Sequence, residues 1–132
     1  MLPLAIRLAS LVPILAGGAG VWLGVALLDE PGGPAVGSHL RYLSGLLLGM
    51  GLLAFWCASD LRRRRAIFSA ICGVFVLGGL ARALGVALEG LPPLPHVFAL
   101  GMELGVVPAL WLAVRRAKAT ESARGGSVSF MG

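Results

Sequence analysis

Unbroken apolar runs, not alternation, set the pattern along this chain. Four of them, residues 6–28, 39–59, 66–88 and 97–114, come close to the roughly 20 apolar residues that a helix needs to cross a bilayer. Between them lie "DEPGGPAVGS", "DLRRRR" and "EGLPPLPH", short segments of turn formers or charge that read as connections. The pattern predicts an all-α protein, a four-transmembrane-helix bundle with short hairpin loops over residues 1–115. A polar tail follows at 116–132, with too few apolar residues to fold alone. The small residues of "ILAGGAG" would also suit a cleavable signal sequence. The first run is too long for one and is interrupted by Arg7 and Pro13, so it is assigned as a span.

Composition agrees. Of 132 residues, 58% are hydrophobic and only 13% are charged; a soluble domain carries about 25% charge to cover its surface. The charge that remains is lopsided. Arg62, Arg63, Arg64 and Arg65 crowd the second loop, Arg115, Arg116 and Lys118 follow the fourth run, and Arg7 begins the first. The first and third loops carry Asp29, Glu30 and Glu89 and no Lys or Arg. By the positive-inside rule both termini and the arginine loop are expected on the cytoplasmic side, in a bacterial inner membrane. The net charge of +5 then calls for no nucleic-acid partner, since these arginines read as a topology signal touching anionic lipid.

Lipid tails are as apolar as leucine, so helices inside a membrane associate through close packing and polar contacts. Small residues recur at helical spacing in each run: Ala16, Gly20 and Gly24; Gly45 and Gly49; Gly78 and Gly79; Gly101 and Gly105. They are expected to let helix backbones approach. Pro108 should bend the fourth helix and release the carbonyl of Leu104.

Three charges stand out within or at the edge of the apolar runs: Arg41, Arg82 and Glu103. At a rise of about 1.5 Å per residue, Arg82 and Glu103 both fall roughly 9 Å inside the same face of the membrane. Arg41 enters from that face about two turns shallower. A charge at the centre of a span costs about 2.5–3.5 kcal/mol, so such groups pair and turn inward. Glu103 is the only acid inside a run, and a guanidinium fork suits a carboxylate. The expected cluster is Arg41, Arg82 and Glu103, net positive, with Tyr42, Ser44 and His96 as polar neighbours. Two readings stand side by side: a head-group site for an anion or amphiphile, or a structural pin with Arg41 snorkelling to the surface. Glu89, two turns beyond Arg82, competes with Glu103 for the arginine.

The remaining candidates point to no chemistry. Cys57 and Cys72 form no Cys-x-x-Cys motif and read as small packing residues. His39 and His96 fall at helix ends, as do Trp22, Trp56 and Trp111, in the manner of interfacial residues, so no haem, metal or other cofactor is expected. No nucleophile–base pair or phosphate loop is present, and four spans without a repeat are few for a lone carrier.

The segments "LRYLSGLLLGMGLL", "GGLARALGVALEGLPP" and "FALGMELGVVPALW" resemble the small bacterial membrane family known as domain of unknown function 4345. That resemblance covers roughly residues 38–115; the first helix fits only generically and the tail not at all. It implies a four-helix membrane protein with an arginine opening the second span, an arginine in the third before a Gly/Pro turn, and a glutamate in the fourth. In this chain those are Arg41, Arg82 and Glu103. More distantly the layout is similar to DoxX-like four-helix proteins, some of them linked to quinone or thiosulfate oxidation, but the chain lacks a cysteine motif for redox work. The functional expectation is a non-enzymatic membrane protein, foremost an accessory subunit of a larger membrane assembly or a homo-oligomer. The alternative is a bundle that binds a lipid, quinone or anionic amphiphile at the Arg/Arg/Glu cluster.

Overall fold

Proline opens three of the four helices. Pro3, Pro34 and Pro95 each stand at the first or second helical position, where the missing N–H costs no bond and the fixed φ favours helix. The computed structural model describes residues 1–27 and 33–128, with side chains through Thr120. Helix α1 runs over Leu2–Leu23 and tightens into a 3₁₀ turn at Gly24–Leu27. Helix α2 covers Pro34–Cys57 and ends in a 3₁₀ turn at Ala58–Asp60. Helix α3 spans Arg65–Glu89. Helix α4 begins at Leu94–Gly101, passes through a π turn at Met102–Val106 and resumes over Val107–Val128. All four are long and apolar enough to cross a membrane, and the described residues contain no strand.

Each helix starts earlier than the apolar pattern suggests, because capping prolines and polar first turns carry little hydropathy yet suit a helix. The end of the first run at Leu28 and the acidic loop residues Asp29 and Glu30 lie outside the described residues. The backbone of α4 continues helical through Val128, well past the apolar span and into the polar tail. Propagating an existing helix costs far less than nucleating one, so good helix formers such as "RRAKA" extend it without apolar support.

The helices form two units, α1 with α2 and α3 with α4, each a helical hairpin. In the first, α1 and α2 meet backbone to backbone. A methyl group on Gly17 would lie 2.5 Å from the Leu48 amide nitrogen and 2.7 Å from the Ser44 carbonyl oxygen. A methyl on Gly20 would collide with the Ser44 hydroxyl. Nearer the start of α1, one on Gly51 would sit 2.9 Å from the Ile14 nitrogen and 3.2 Å from Cγ of Pro13. Gly51 therefore makes room for the proline that interrupts α1. The contact line on α2 is Ser44, Leu48 and Gly51. It lies one position away from Gly45 and Gly49, where added methyls would meet a Val21 methyl at 3.9 Å and nothing within 4 Å. One residue is about 100° of helix rotation, so that stripe turns aside from the crossing.

The arginine loop is built into the end of α2. The Arg64 guanidinium donates to the Trp56 carbonyl at 2.7 Å and to the Ser59 hydroxyl at 2.5 Å, and lies 3.5 Å over the Trp56 ring. A cation thus serves the exposed carbonyls at the negative end of the helix dipole. Asp60 accepts the Arg63 amide at 3.3 Å, which tightens the same turn. Arg7 over Phe55 in the first hairpin and Arg115 over Trp111 in the second repeat the arginine–aromatic pairing.

A candidate polar site in the α3–α4 hairpin

In the second hairpin the closest approach falls at Gly79. A methyl group there would lie 2.8 Å from a Leu104 methyl carbon and 2.9 Å from Cβ of Glu103. Gly78 beside it faces open space, so one of the two adjacent glycines makes the contact. One turn beyond Gly79 on α3 comes Arg82, and the glycine lets α4 approach closely enough for Glu103 to reach it.

The pair that results is bidentate. Nε of Arg82 donates to Oε2 of Glu103 at 3.2 Å, and Nη2 donates to Oε1 at 3.4 Å. The third guanidinium nitrogen, Nη1, lies 3.0 Å from Nδ1 of His96. An arginine only donates, so Nδ1 accepts, which places the imidazole proton on Nε2. The Glu103 side chain is 13% exposed and Arg82 32%, so the carboxylate faces inward while part of the guanidinium is open. Glu89, the other candidate partner, is exposed at the end of α3.

The backbone of α4 contributes as well. Pro108 has no N–H and its ring cannot lie against the carbonyl of Leu104. The helix answers by widening the preceding turn, and the Val107 amide donates to the Met102 carbonyl five residues back. Glu103 sits inside that π turn, a form that recurs at functional positions in helices. A proline at this position predicts a bend and a freed carbonyl. The widened turn is the form that strain takes.

The remaining expected site residues, Arg41, Tyr42 and Ser44, lie on α2 in the first hairpin. Ser44 is buried against Gly20 in the α1–α2 hairpin. Arg41 packs in the same hairpin, where a methyl on Gly24 would lie 2.6 Å from its Cζ and one on Gly37 3.5 Å from its Nη1. Gly24 adopts φ +57° and ψ −132°, a conformation that favours glycine, as it closes the α-helical part of α1. The Arg41 guanidinium therefore lies at the C-terminal end of α1, a favourable place for a cation. Tyr42 is 63% exposed. The structure unites Arg82, Glu103 and His96 within one hairpin; Arg41, Tyr42 and Ser44 are parts of the other.

Below the ion pair, towards the arginine-loop end, the hairpin surface is indented beside Pro108. An open groove of about 440 Å³ forms there, lined by Ser69, Cys72, Gly73, Val76, Pro108 and Trp111.

Four apolar helices of spanning length, with a partly buried ion pair inside two of them, define a multi-pass membrane protein. Residues 1–114 match the model of the family described as domain of unknown function (DUF4345), and the chain belongs to that family. The match takes in the first helix, which the quoted motifs do not cover. No curated protein and no solved structure matches the chain.

Proposed function

We propose that this chain is a non-enzymatic protein of a bacterial inner membrane that binds the polar head of an amphiphile at Arg82, Glu103 and His96. The observation that carries this reading is the incomplete satisfaction of Arg82. Its three bonds use three of five N–H groups, leaving one on Nη1 and one on Nη2 without an acceptor among the described residues. Donors left open near the end of an apolar span suit the acceptor atoms of an amphiphile's head group. A lipid, a quinone or an anionic amphiphile would each supply one. The arrangement holds no group placed to attack a bond.

Both termini and the arginine loop are assigned to the cytoplasm. The Arg62–Arg65 segment, Arg115 and Arg116 support this assignment, with the opposite loops holding no Lys or Arg in residues 29–38 and 89–96. Attachment to a larger membrane assembly is a second reading. It is favoured by Gly101 and Gly105 on α4, both exposed and with no atom within 4 Å of an added methyl.

Extraction of the full chain with its native lipids, followed by native mass spectrometry, tests the binding reading. It predicts an amphiphile that co-purifies with the wild type and is retained less by Arg82→Lys, which keeps the charge but offers three N–H donors in place of five. A wild-type protein that carries no amphiphile beyond annular lipid would contradict it. Co-purifying protein subunits would favour the second reading.

A further inference from the structure

We infer that the α3–α4 hairpin carries a second site, for an anionic glycerophospholipid, at its arginine-loop end, with an acyl chain in the groove beside Pro108 and the phosphate on Arg115. This site is separate from the Arg82 reading and does not rest on it. Both walls of the groove are helix faces that end in a cation. On α3 the lining residues Ser69, Cys72 and Val76 share one face, and Arg65, one turn before Ser69, opens the helix on that face. On α4 the lining residues Pro108 and Trp111 are followed on their own face by Arg115 and Lys118. An apolar groove thus leads to cations from two helices.

The depth fits one leaflet. Counted along the helix rise from Arg65, Ser69 lies about 6 Å in and Val76 about 16 Å in. Half of a bilayer's hydrocarbon core is roughly 15 Å. A chain entering beside the cations therefore runs along the groove and ends near the bilayer centre. Gly73 is exposed, and a methyl added to it would meet nothing within 4 Å, so the groove is accessible there. Its volume of about 440 Å³ falls among sites for small ligands.

The head is held by charge and by a placed guanidinium. Cζ of Arg115 lies 4.7 Å over the ring of Trp111, a wall residue of the groove, and the Arg115 side chain is exposed. Stacking engages the face of a guanidinium and leaves its N–H edge, which suits a phosphate bidentately. Basic pockets beside spanning helices recognise anionic head groups in this way. The acid nearest to Arg65 in sequence, Asp60, is engaged by Arg63 at 3.8 Å. Any further arginine of the loop adds to the attraction, so the preference for an anion holds however the two hairpins pack.

The test titrates the purified full chain in detergent with dioleoyl phosphatidylglycerol and with dioleoyl phosphatidylcholine, which has the same tails and a head whose charges cancel. Bound lipid is read by native mass spectrometry. One equivalent of phosphatidylglycerol is expected to bind at least about tenfold more tightly than phosphatidylcholine, and Arg115→Gln should remove about tenfold of that affinity, the size of one charge-assisted hydrogen bond. Gly73→Leu fills the groove where there is room and should weaken both lipids about tenfold, the worth of roughly two buried methylenes. Arg63→Gln deletes the same charge from an exposed position in the loop and should change affinity by no more than about twofold. Equal affinity for the two lipids would overturn the anionic head. Equal losses from Arg63→Gln and Arg115→Gln would mean a diffuse field in place of a site. Binding that neither Arg115→Gln nor Gly73→Leu moves would overturn the placement of head and tail. A protein subunit or second copy that excludes the lipid and is released by Gly73→Leu would overturn the occupant. None of these results touches the Arg82 reading, whose amphiphile is followed through Arg82→Lys.

Discussion

The two hairpins bring their helices together by different means. In α1–α2 the contact is made of absences: Gly17, Gly20 and Gly51 lack the atoms that would hold the backbones apart. Its polar side chains serve the hairpin's own backbone, as Ser10 does by donating to the Ile6 carbonyl at 2.7 Å and Arg64 by capping α2. In α3–α4 a single glycine, Gly79, suffices, and a charged pair spans the helices just beyond it. Close packing without charge tolerates no added volume. An ion pair tolerates some volume but cannot lose one partner. The two hairpins should therefore fail under opposite kinds of substitution.

The largest effect is expected from removing one charge. Glu103→Leu leaves Arg82 uncompensated within a span and should cost about 3 kcal/mol in reversible unfolding from mixed micelles. Charge removal in the other hairpin is the contrast. Arg41→Leu removes a cation from the end of α1 and should cost no more than about 1 kcal/mol in the same assay.

Volume comes next. Gly17→Leu drives a side chain into the Leu48 and Ser44 backbone, which cannot yield, and should cost about 2–3 kcal/mol. Gly79→Ala meets a flexible Leu104 side chain as well as Cβ of Glu103, so about 1 kcal/mol is expected. If Gly79→Ala proved worse than Gly17→Leu, the contrast between the hairpins would be wrong.

The smallest effect has the opposite sign. Gly18 and Gly49 face open space, so alanine there should stabilise the protein by several tenths of a kcal/mol through helix propensity alone. Thermal melting in detergent resolves that shift. A loss at either position would mean that it makes a contact the geometry omits.

Much of this was legible in the sequence, and what escaped did so for physical reasons. Apolar run length gave the four helices, since bilayer thickness fixes it. Equal depth of Arg82 and Glu103 from a shared turn gave their pairing, because the short "EGLPPLPH" connection forces α3 and α4 to be antiparallel neighbours. His96 was placed near them but not bonded, as its depth alone does not aim the ring. Periodicity fixes spacing along a helix but not which face meets the neighbour. Hence Gly45 and Gly49 stood out while Gly17 and Gly51 made the contact. Ser44 and Arg41 were grouped with Glu103 by charge and depth, which do not show that both also pack with α1. The π turn was half visible, since Pro108 announces a disruption without stating its form.

The central claim is that Arg82 and Glu103 act as one unit, and a double-mutant cycle tests it most directly. Arg82→Leu and Glu103→Leu are each expected to lower the unfolding free energy in mixed micelles by about 3 kcal/mol, and the double variant by at least about 1 kcal/mol less than their sum. Losses that add to within about 0.5 kcal/mol would show two independent side chains and contradict the account.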